Sequence, residues 1–447
     1  MPKPRIVVVG AGFGGYHSLR GLERLLPPGA AELVLVSRTD YHLYTPLLPQ
    51  VAAGTVNPAD VAVPLRSLRR TRLWTGQVTG ADLGSRTVTV RHHDGGQSTL
   101  SWDRLVLAPG SVTRIRDVPG LREYAHGFKT VIEAVYLRDR VLAQLERADG
   151  LPDGPERQAC TTFVVVGAGL AGTEYVAQMR LFVASALRAY PRLRAEHIRW
   201  ILVEHGHGVL EHLPPRLSHH ALAVLRSRGV EVRLSTLVDR LTPDTAHLSD
   251  GTTVPCRLLV WTAGVTGSPL VEDLGLPLDR GRLTVGADLA VPGHPDVFAL
   301  GDAAAVPDLG RPGSVCPQTA QHAMRQGRAA ARNVAASLGH GRARPYRHRD
   351  LGTVADLGGA QAAAAPLGLP VTGPPAKAVT GGYHLYALPG AGNRLRVATD
   401  WALNALLGRN TVSLGLVPDA AAGLVRAEQL GIDPPPEHSP APSRPPA

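Results

Sequence analysis

Lysine is nearly missing from this chain. Lys3, Lys129 and Lys377 are the only three, so arginine carries almost all of the 47 basic residues. The arginines are scattered, with no dense basic block interleaved with aromatics, and aromatic residues make up only 4%. The net charge of +10 therefore does not describe a nucleic-acid-binding surface, and no nucleic acid is expected as a partner. It does suit anionic cofactors or an anionic membrane face. Cysteine is as scarce. Cys160, Cys256 and Cys316 lie far apart with no Cys-x-x-Cys pair, which argues against a disulfide framework, a thioredoxin-like motif or a cysteine metal site. A reducing, cytoplasmic compartment is expected, and no metal. Long hydrophobic runs are absent too. The longest uncharged stretch, residues 357–376, is broken repeatedly by glycine and proline and cannot make a membrane-spanning helix. No charged-then-apolar signal opens the chain.

What is present is a sentence said twice. Residues 5–15 read RIVVVGAGFGG, and residues 162–174 read TFVVVGAGLAGTE. Each is a β-branched run that breaks into Gly-x-Gly-x-x-Gly: Gly10, Gly12 and Gly15 around Phe13 and Gly14, then Gly167, Gly169 and Gly172 around Leu170 and Ala171. The first glycine permits a tight turn off a strand, and the second lets a pyrophosphate approach bare backbone. The third lets the following helix pack close, with its amides and dipole aimed at the phosphates. One such motif is weak; two, 157 residues apart, predict two dinucleotide sites.

The residues around the motifs refine this. The strand Glu32–Ser37 ends on Ser37 and Arg38, where the fold usually has an acid for a ribose 2′-hydroxyl. A serine can still hydrogen-bond there, and an arginine can stack on adenine or bind a phosphate. The corresponding second strand ends on Glu204, 37 residues after Gly167 rather than about twenty. A helix extension and loop over residues 187–197 accounts for the excess, and an acid at this place selects the unphosphorylated ribose. Two further strands close on small residues, Ala108-Pro109-Gly110-Ser111 and Thr262-Ala263-Gly264, so the repeat is one of whole units. A short strand ends in Gly301-Asp302. A helix is expected over residues 318–337, with Gln321 and Arg325 on one face at i, i+4. Residues 42–49 (HLYTPLLP) read as a packed loop too rich in proline for a regular element, and residues 151–155 (LPDGP) as a linker. A modest amphipathic helix is expected over residues 395–407, and disorder from residue 434 onward.

GAGFGG, HLYTPLL followed by QVAAG, GAGLAGTE, the LVWTAG turn, ALGD and TAQHAMRQG, in that order, resemble the type II NADH dehydrogenases. These are non-proton-pumping, single-chain NADH:quinone oxidoreductases among the two-dinucleotide-binding-domain flavoproteins, and the resemblance covers roughly residues 3–425. It implies an α/β fold of two Rossmann-like domains, for FAD and NAD, with a C-terminal α+β extension. The expected division is 1–120 and 270–340 for FAD, 121–269 for NAD, 341–432 for a membrane- and acceptor-side region, and 433–447 for a disordered tail. FAD is expected along the first motif and NADH along the second, nicotinamide against flavin. Asp302 is expected on the ribityl chain, and Gln318, Thr319 and Ala320 beside the cofactor. Glu174 is implied near the meeting of the two cofactors, and the quinone site by Gln321, Arg325 and the loop of residues 46–52. Lys377 joins Glu174, Gln321 and Arg325 as a catalytic candidate with no role assigned. Partners implied are a quinone, a peripheral contact with the cytoplasmic membrane face, and a second copy in a homodimer. The chain departs from the family pattern at Ser37, at Arg325 (usually glutamine), at Pro49 (often aromatic), and at Asp400 and Asn404 in the C-terminal helix.

Rival readings differ in what they require. A disulfide reductase or a sulfide:quinone oxidoreductase needs close cysteines. A flavoprotein with a non-quinone acceptor, or a redox sensor that turns over poorly, would hold the same cofactors. A scaffold using the fold for protein contacts would lack FAD.

Overall fold

The computed structural model describes residues 3–419 together with 423 and 424. The tail expected to be disordered from residue 434, like the end of the C-terminal region, lies outside the described residues.

Two parallel sheets carry the molecule. The first has the order Ala290–Val291, His294–Ala299, Arg104–Leu107, Arg5–Val9, Glu32–Ser37, Thr71–Thr75, and only its two-residue edge strand runs antiparallel. The second has the order Ala125–Gly127, Leu258–Trp261, Thr162–Val166, Arg199–Val203, Val230–Arg233, all parallel. Their central strands are uninterrupted apolar runs because both faces are buried, one under helices and, in the second sheet, the other under the antiparallel strands Val238–Thr242, Thr245–Leu248 and Thr253–Pro255. Ile6, Val7 and Val8 are fully buried in one, and Val164 and Val165 in the other. In each sheet the motif strand has neighbours on both sides, and the chain leaves its carboxyl end at the crevice where parallel α/β sheets bind ligands.

Late chain completes the first unit. The helix Ala320–Ser337 lies along the first-motif helix Phe13–Leu25 at very close range. A Cβ on Gly327 would sit 2.4 Å from the Gly14 carbonyl oxygen, and one on Gly21 would sit 2.5 Å from the Ala331 methyl. Small residues on both helices permit that approach.

The strand-end turns join the two units. Ser111–Thr113 pairs antiparallel with Val265–Gly267, Gly110 O accepts from Ser268 N–H (3.1 Å) and Gly264 O accepts from Arg114 N–H (3.1 Å). This brings the two crevices to one place.

Two local readings change, and one unread segment takes form. Residues 42–49 are not a plain loop: Tyr41–Leu43 is a short strand, Thr45–Leu47 a 3-10 turn and Leu48–Ala52 a helical turn, with Pro46 and Pro49 at first-turn positions where the missing N–H is harmless. The linker Leu151–Pro155 leads directly into a helix, Pro155–Thr161, that proline likewise opens. Gly373–Ala387, which carries Lys377, is a helix despite its Gly-Pro-Pro start, because those residues occupy its first turn.

Candidate functional site

The two glycine turns have one geometry. Gly10 and Gly167 have φ of +95° and +104°, where only glycine is unstrained, and a Cβ on either would strike the neighbouring strand-end turn. Gly12 (φ −64°, ψ −172°) and Gly169 (φ −70°, ψ −173°) face open space, with nothing within 4 Å of an added Cβ. Gly15 and Gly172 press against the carbonyl oxygens of Gly10 and Gly167, which a Cβ would meet at 1.9 and 2.0 Å. Each turn therefore leaves one bare stretch of backbone at a helix N-terminus with no side chain over it, a shape that fits a pyrophosphate. Gly110 and Gly264, at φ +80° and +93°, leave the facing strand ends equally open.

The second-strand ends distinguish the two sites. Glu204 is buried, and its carboxylate accepts from Ala168 N–H (2.6 Å) inside the glycine turn and from Gly206 N–H (2.7 Å), with His205 Nδ1 also 2.6 Å away. A carboxylate has about four acceptor positions, so capacity for a ribose hydroxyl remains. The 37-residue spacing is taken up by the long helix Leu170–Ala186 and by 3-10 turns at Leu187–Ala189 and Ala195–His197. At the first site Ser37 is buried, its Oγ accepting from Thr39 N–H (3.3 Å), and Arg38 is exposed. Beneath this turn His42 is fully buried, donates from Nδ1 to Ala11 O (2.9 Å) and stacks on Tyr16 at 4.7 Å. Burial lowers its pKa to about 4, so it stays neutral. Asp302 lies next to Gly301, accepts from Ser111 Oγ (2.7 Å), and is flanked by Gln318, whose Nε2 donates to Asp302 O (3.0 Å). Lys129 donates to Ser111 Oγ (2.8 Å) and to its carbonyl. Thr319 caps the following helix, its Oγ1 accepting from His322 N–H (3.3 Å).

Glu174 and Lys377, far apart in sequence, meet through Asp356. Asp356 N–H donates to Glu174 Oε1 (2.6 Å), and Lys377 Nζ donates to both Asp356 oxygens (2.7 Å each). Gln50 Nε2 donates to Asp356 Oδ2 (2.6 Å), and Trp401 Nε1 donates to Gln50 Oε1 (2.6 Å). Glu174 is not the exposed helix-start acid its position in the motif would allow. Burial raises its pKa to about 8, opposed by the Asp356 amide and Lys377 and reinforced by the Asp356 charge. At neutral pH it is mostly a protonated acid. Lys377 remains half-exposed and is the member of the group that reaches solvent.

On the helix Ala320–Ser337, Gln321 Nε2 donates to Gly352 O (2.8 Å). Arg325 does share this face but does not point freely into solvent. Its Nη1 lies 3.2 Å from Nε2 and 3.4 Å from Nδ1 of His348.

Comparison with known proteins fits this geometry. The family model described as pyridine nucleotide-disulphide oxidoreductase matches residues 4–327. The type II NADH:quinone oxidoreductase Ndh of Mycobacterium tuberculosis is 31% identical over 443 residues, 95% of this chain and 93% of that one. The chain belongs to the type II NADH:quinone oxidoreductases. The demethylphylloquinone reductase NdbB of Synechocystis, another relative of this type II enzyme chain, is 31% identical over 408 residues, 89% of this chain and 96% of the other. In fold, a structure of NDH2 from Plasmodium falciparum in complex with NADH matches with a TM-score of 0.85, covering 92% of this chain and all of that one at 17% identity.

Two features bear on this type II chain's departures from the family pattern. All three cysteines are free and buried, so the pyridine nucleotide-disulphide fold here carries no disulfide. Asp400 and Asn404 face the protein: Asp400 accepts from Asn57 N–H (2.8 Å), Asn404 donates to Thr55 O (3.2 Å), and Asn393 donates to Asp60 O (3.0 Å). With Val397 and Trp401 they form the inward stripe of the helix Ala391–Leu407, leaving Leu395, Leu403, Leu406 and Leu407 outside. The polar residues at which this helix departs from the family pattern are thus the ones that dock it.

Sequence reasoning did not single out Gln50, Asp356, Lys129 or His348. Gln50 lay inside QVAAG, a stretch already matched as a block. Asp356 is placed only by a β-hairpin, Val354–Asp356 with Ala362–Ala364, and no local pattern marks it.

Proposed function

We propose that the protein is an FAD-dependent oxidoreductase that takes hydride from NADH and passes the electrons to a quinone at a membrane surface. The observation that carries this reading is the pair of matched glycine turns, each open at its middle glycine, joined through their strand-end turns in a molecule without a disulfide. FAD in the first site supplies a two-electron carrier between hydride donor and acceptor.

The chain's residues orient and exchange protons. Gly10 to Gly15, with Ser37 and Arg38, receive the dinucleotide part of FAD; Ala108 to Gly110, Gly301, Asp302, Gln318, Thr319 and Ala320 line its reactive end. Gly167 to Gly172 receive the NADH pyrophosphate, Ala263 and Gly264 its nicotinamide end, and Glu204 its ribose. Glu174, with Oε1 accepting from the Asp356 backbone amide, holds a proton on Oε2, and Lys377, anchored on the Asp356 carboxylate, supplies positive charge beside it. Gln321 and Arg325 offer N–H donors to the acceptor's oxygens.

No helix among the described residues is long and apolar enough to cross a membrane. Contact with the cytoplasmic membrane face comes instead from exposed apolar side chains of the late chain, among them Leu367, Leu369, Tyr386, Leu406, Leu407 and Leu416. The test is anaerobic stopped-flow. NADH should bleach the flavin of the yellow protein, and a short-chain quinone should restore it. Protein that takes up no FAD, or reduced protein that no quinone reoxidises, overturns the reading.

A further inference from the structure

Quinone reduction leaves a requirement that the glycine turns and the Glu174 group do not meet on the Arg325 side. NADH gives up a hydride, and the quinone gains two electrons and forms two O–H bonds. The hydride accounts for one hydrogen, and the other is a proton from solvent. A group that takes protons from water must therefore adjoin the acceptor.

Four side chains converge here, Arg325 and His322 from the helix Ala320–Ser337 and Tyr346 and His348 from the segment after it. His348 stacks on His322 with ring centroids 3.7 Å apart and planes 14° from parallel. The Tyr346 hydroxyl lies 3.0 Å from His348 Nδ1 and 3.3 Å from His322 Nδ1. Arg325 cannot accept a hydrogen bond, and its Nη1 lies 3.2 Å from Nε2 and 3.4 Å from Nδ1 of His348, so the shorter contact favours Nε2 as the acceptor. That leaves the ring proton on Nδ1, donated to the Tyr346 oxygen, and Tyr346 donates in turn to His322 Nδ1. This assignment satisfies every member of the row. His322 and Tyr346 are buried, whereas His348 is half-exposed and Arg347 and Arg349 beside it are exposed.

We propose that His348 is the proton-exchange residue of the acceptor site, taking up a solvent proton on Nε2 and giving it to the quinone oxygen held by Arg325. This rests on the quinone reading above. The groups around the ring suit the task. Burial, and after it Arg325, lower the His348 pKa, while Asp350 and Asp308 oppose them, and the stacked His322 is itself held neutral, at about 4. An imidazolium formed between a guanidinium and a stacked ring is a strong acid and gives its proton readily to an oxygen gaining negative charge. Tyr346 keeps Nδ1 engaged in both states, so only Nε2 exchanges.

The experiment compares two acceptors in the holoenzyme: a soluble quinone, which needs protons, and ferricyanide, which takes electrons alone. His348→Gln should slow reoxidation by quinone about a hundred-fold and leave ferricyanide reduction and NADH-driven flavin bleaching unchanged. Imidazole added to the buffer should restore much of the lost rate. Tyr346→Phe, which keeps the ring and its stack, should slow only the quinone step and shift its pH profile. Independently of turnover, ring nitrogen shifts in the oxidised wild type should report the Nδ1–H tautomer of His348. An unaltered quinone step in both variants, an equal loss with ferricyanide, no rescue by imidazole, or the Nε2–H tautomer would each overturn the proposal. Failure of the quinone reading itself shows differently, as wild-type protein that reduces ferricyanide but no quinone.

Discussion

Single residues set which ligand goes where and in which protonation state. Glu204 reaches into the second glycine turn, and its negative charge would meet the 2′-phosphate of NADPH directly. Glu204→Ser is expected to narrow the preference for NADH by roughly 1–3 kcal/mol, read as the ratio of flavin-bleaching rates with the two donors; an unchanged ratio would show that the carboxylate serves the turn alone. Glu174 makes a pH-dependent case. Its native pKa, raised to about 8 mainly by burial, lies above that of an unfolded glutamate, so the native state binds the proton more tightly. The stability this contributes is complete below the unfolded value and is lost as pH rises through about 8. Wild-type melting temperature should therefore fall between pH 6 and 9 more steeply than that of Glu174→Gln, which has no charge to bury; parallel curves would place the titration elsewhere. Both glutamates could be named from sequence because each ends a motif. Neither the burial of Glu174 nor its Asp356 partner could, since the hairpin that brings Asp356 in is 182 residues away.

At the scale of elements, the glycine turns separate a structural glycine from a binding one. Gly172 touches backbone, and a Cβ there would lie 2.0 Å from Gly167 O and 2.6 Å from Thr262 Oγ1. Gly172→Ala should destabilise the protein by about 1–3 kcal/mol in a denaturant melt. Gly12 touches nothing, and its backbone angles suit any residue. Gly12→Ala should leave the stability of the cofactor-free protein within about 0.5 kcal/mol and yet lower the FAD content of purified protein, because the methyl fills the approach of the pyrophosphate. Loss of fold in Gly12→Ala would contradict the open space seen there. The motifs and their strands were legible because their spacing states a backbone requirement. The helices Pro155–Thr161 and Gly373–Ala387 were not, because proline signals both a break and a first helical turn, and only tertiary packing chooses between them.

For the whole molecule, the exposed leucines of the C-terminal helix predict a surface-bound enzyme. Leu406 and Leu407 are each more than four-fifths exposed. Burying them in lipid is worth roughly 1.5 kcal/mol each at the lower bound, so Leu406→Asp with Leu407→Asp should weaken partitioning onto anionic vesicles about a hundred-fold or more. Activity with a water-soluble quinone should survive; equal vesicle binding by the variant would assign the attachment elsewhere. The two-unit plan was readable from the repeat, but not the way its outward and inward stripes divide on that helix, because Asp400 and Asn404 look solvent-seeking until their partners at residues 55–57 are in place. The interleaving of the first unit also has a consequence for synthesis. The strand Arg104–Leu107 has an unfilled edge until His294–Ala299 is made, and the first glycine-motif helix has no cover until Ala320–Ser337 follows it. The second sheet, by contrast, is complete by residue 261. On the ribosome the second unit can close while its older neighbour is still half-built, so the first unit can hold a ligand only after residues 294–337 have emerged.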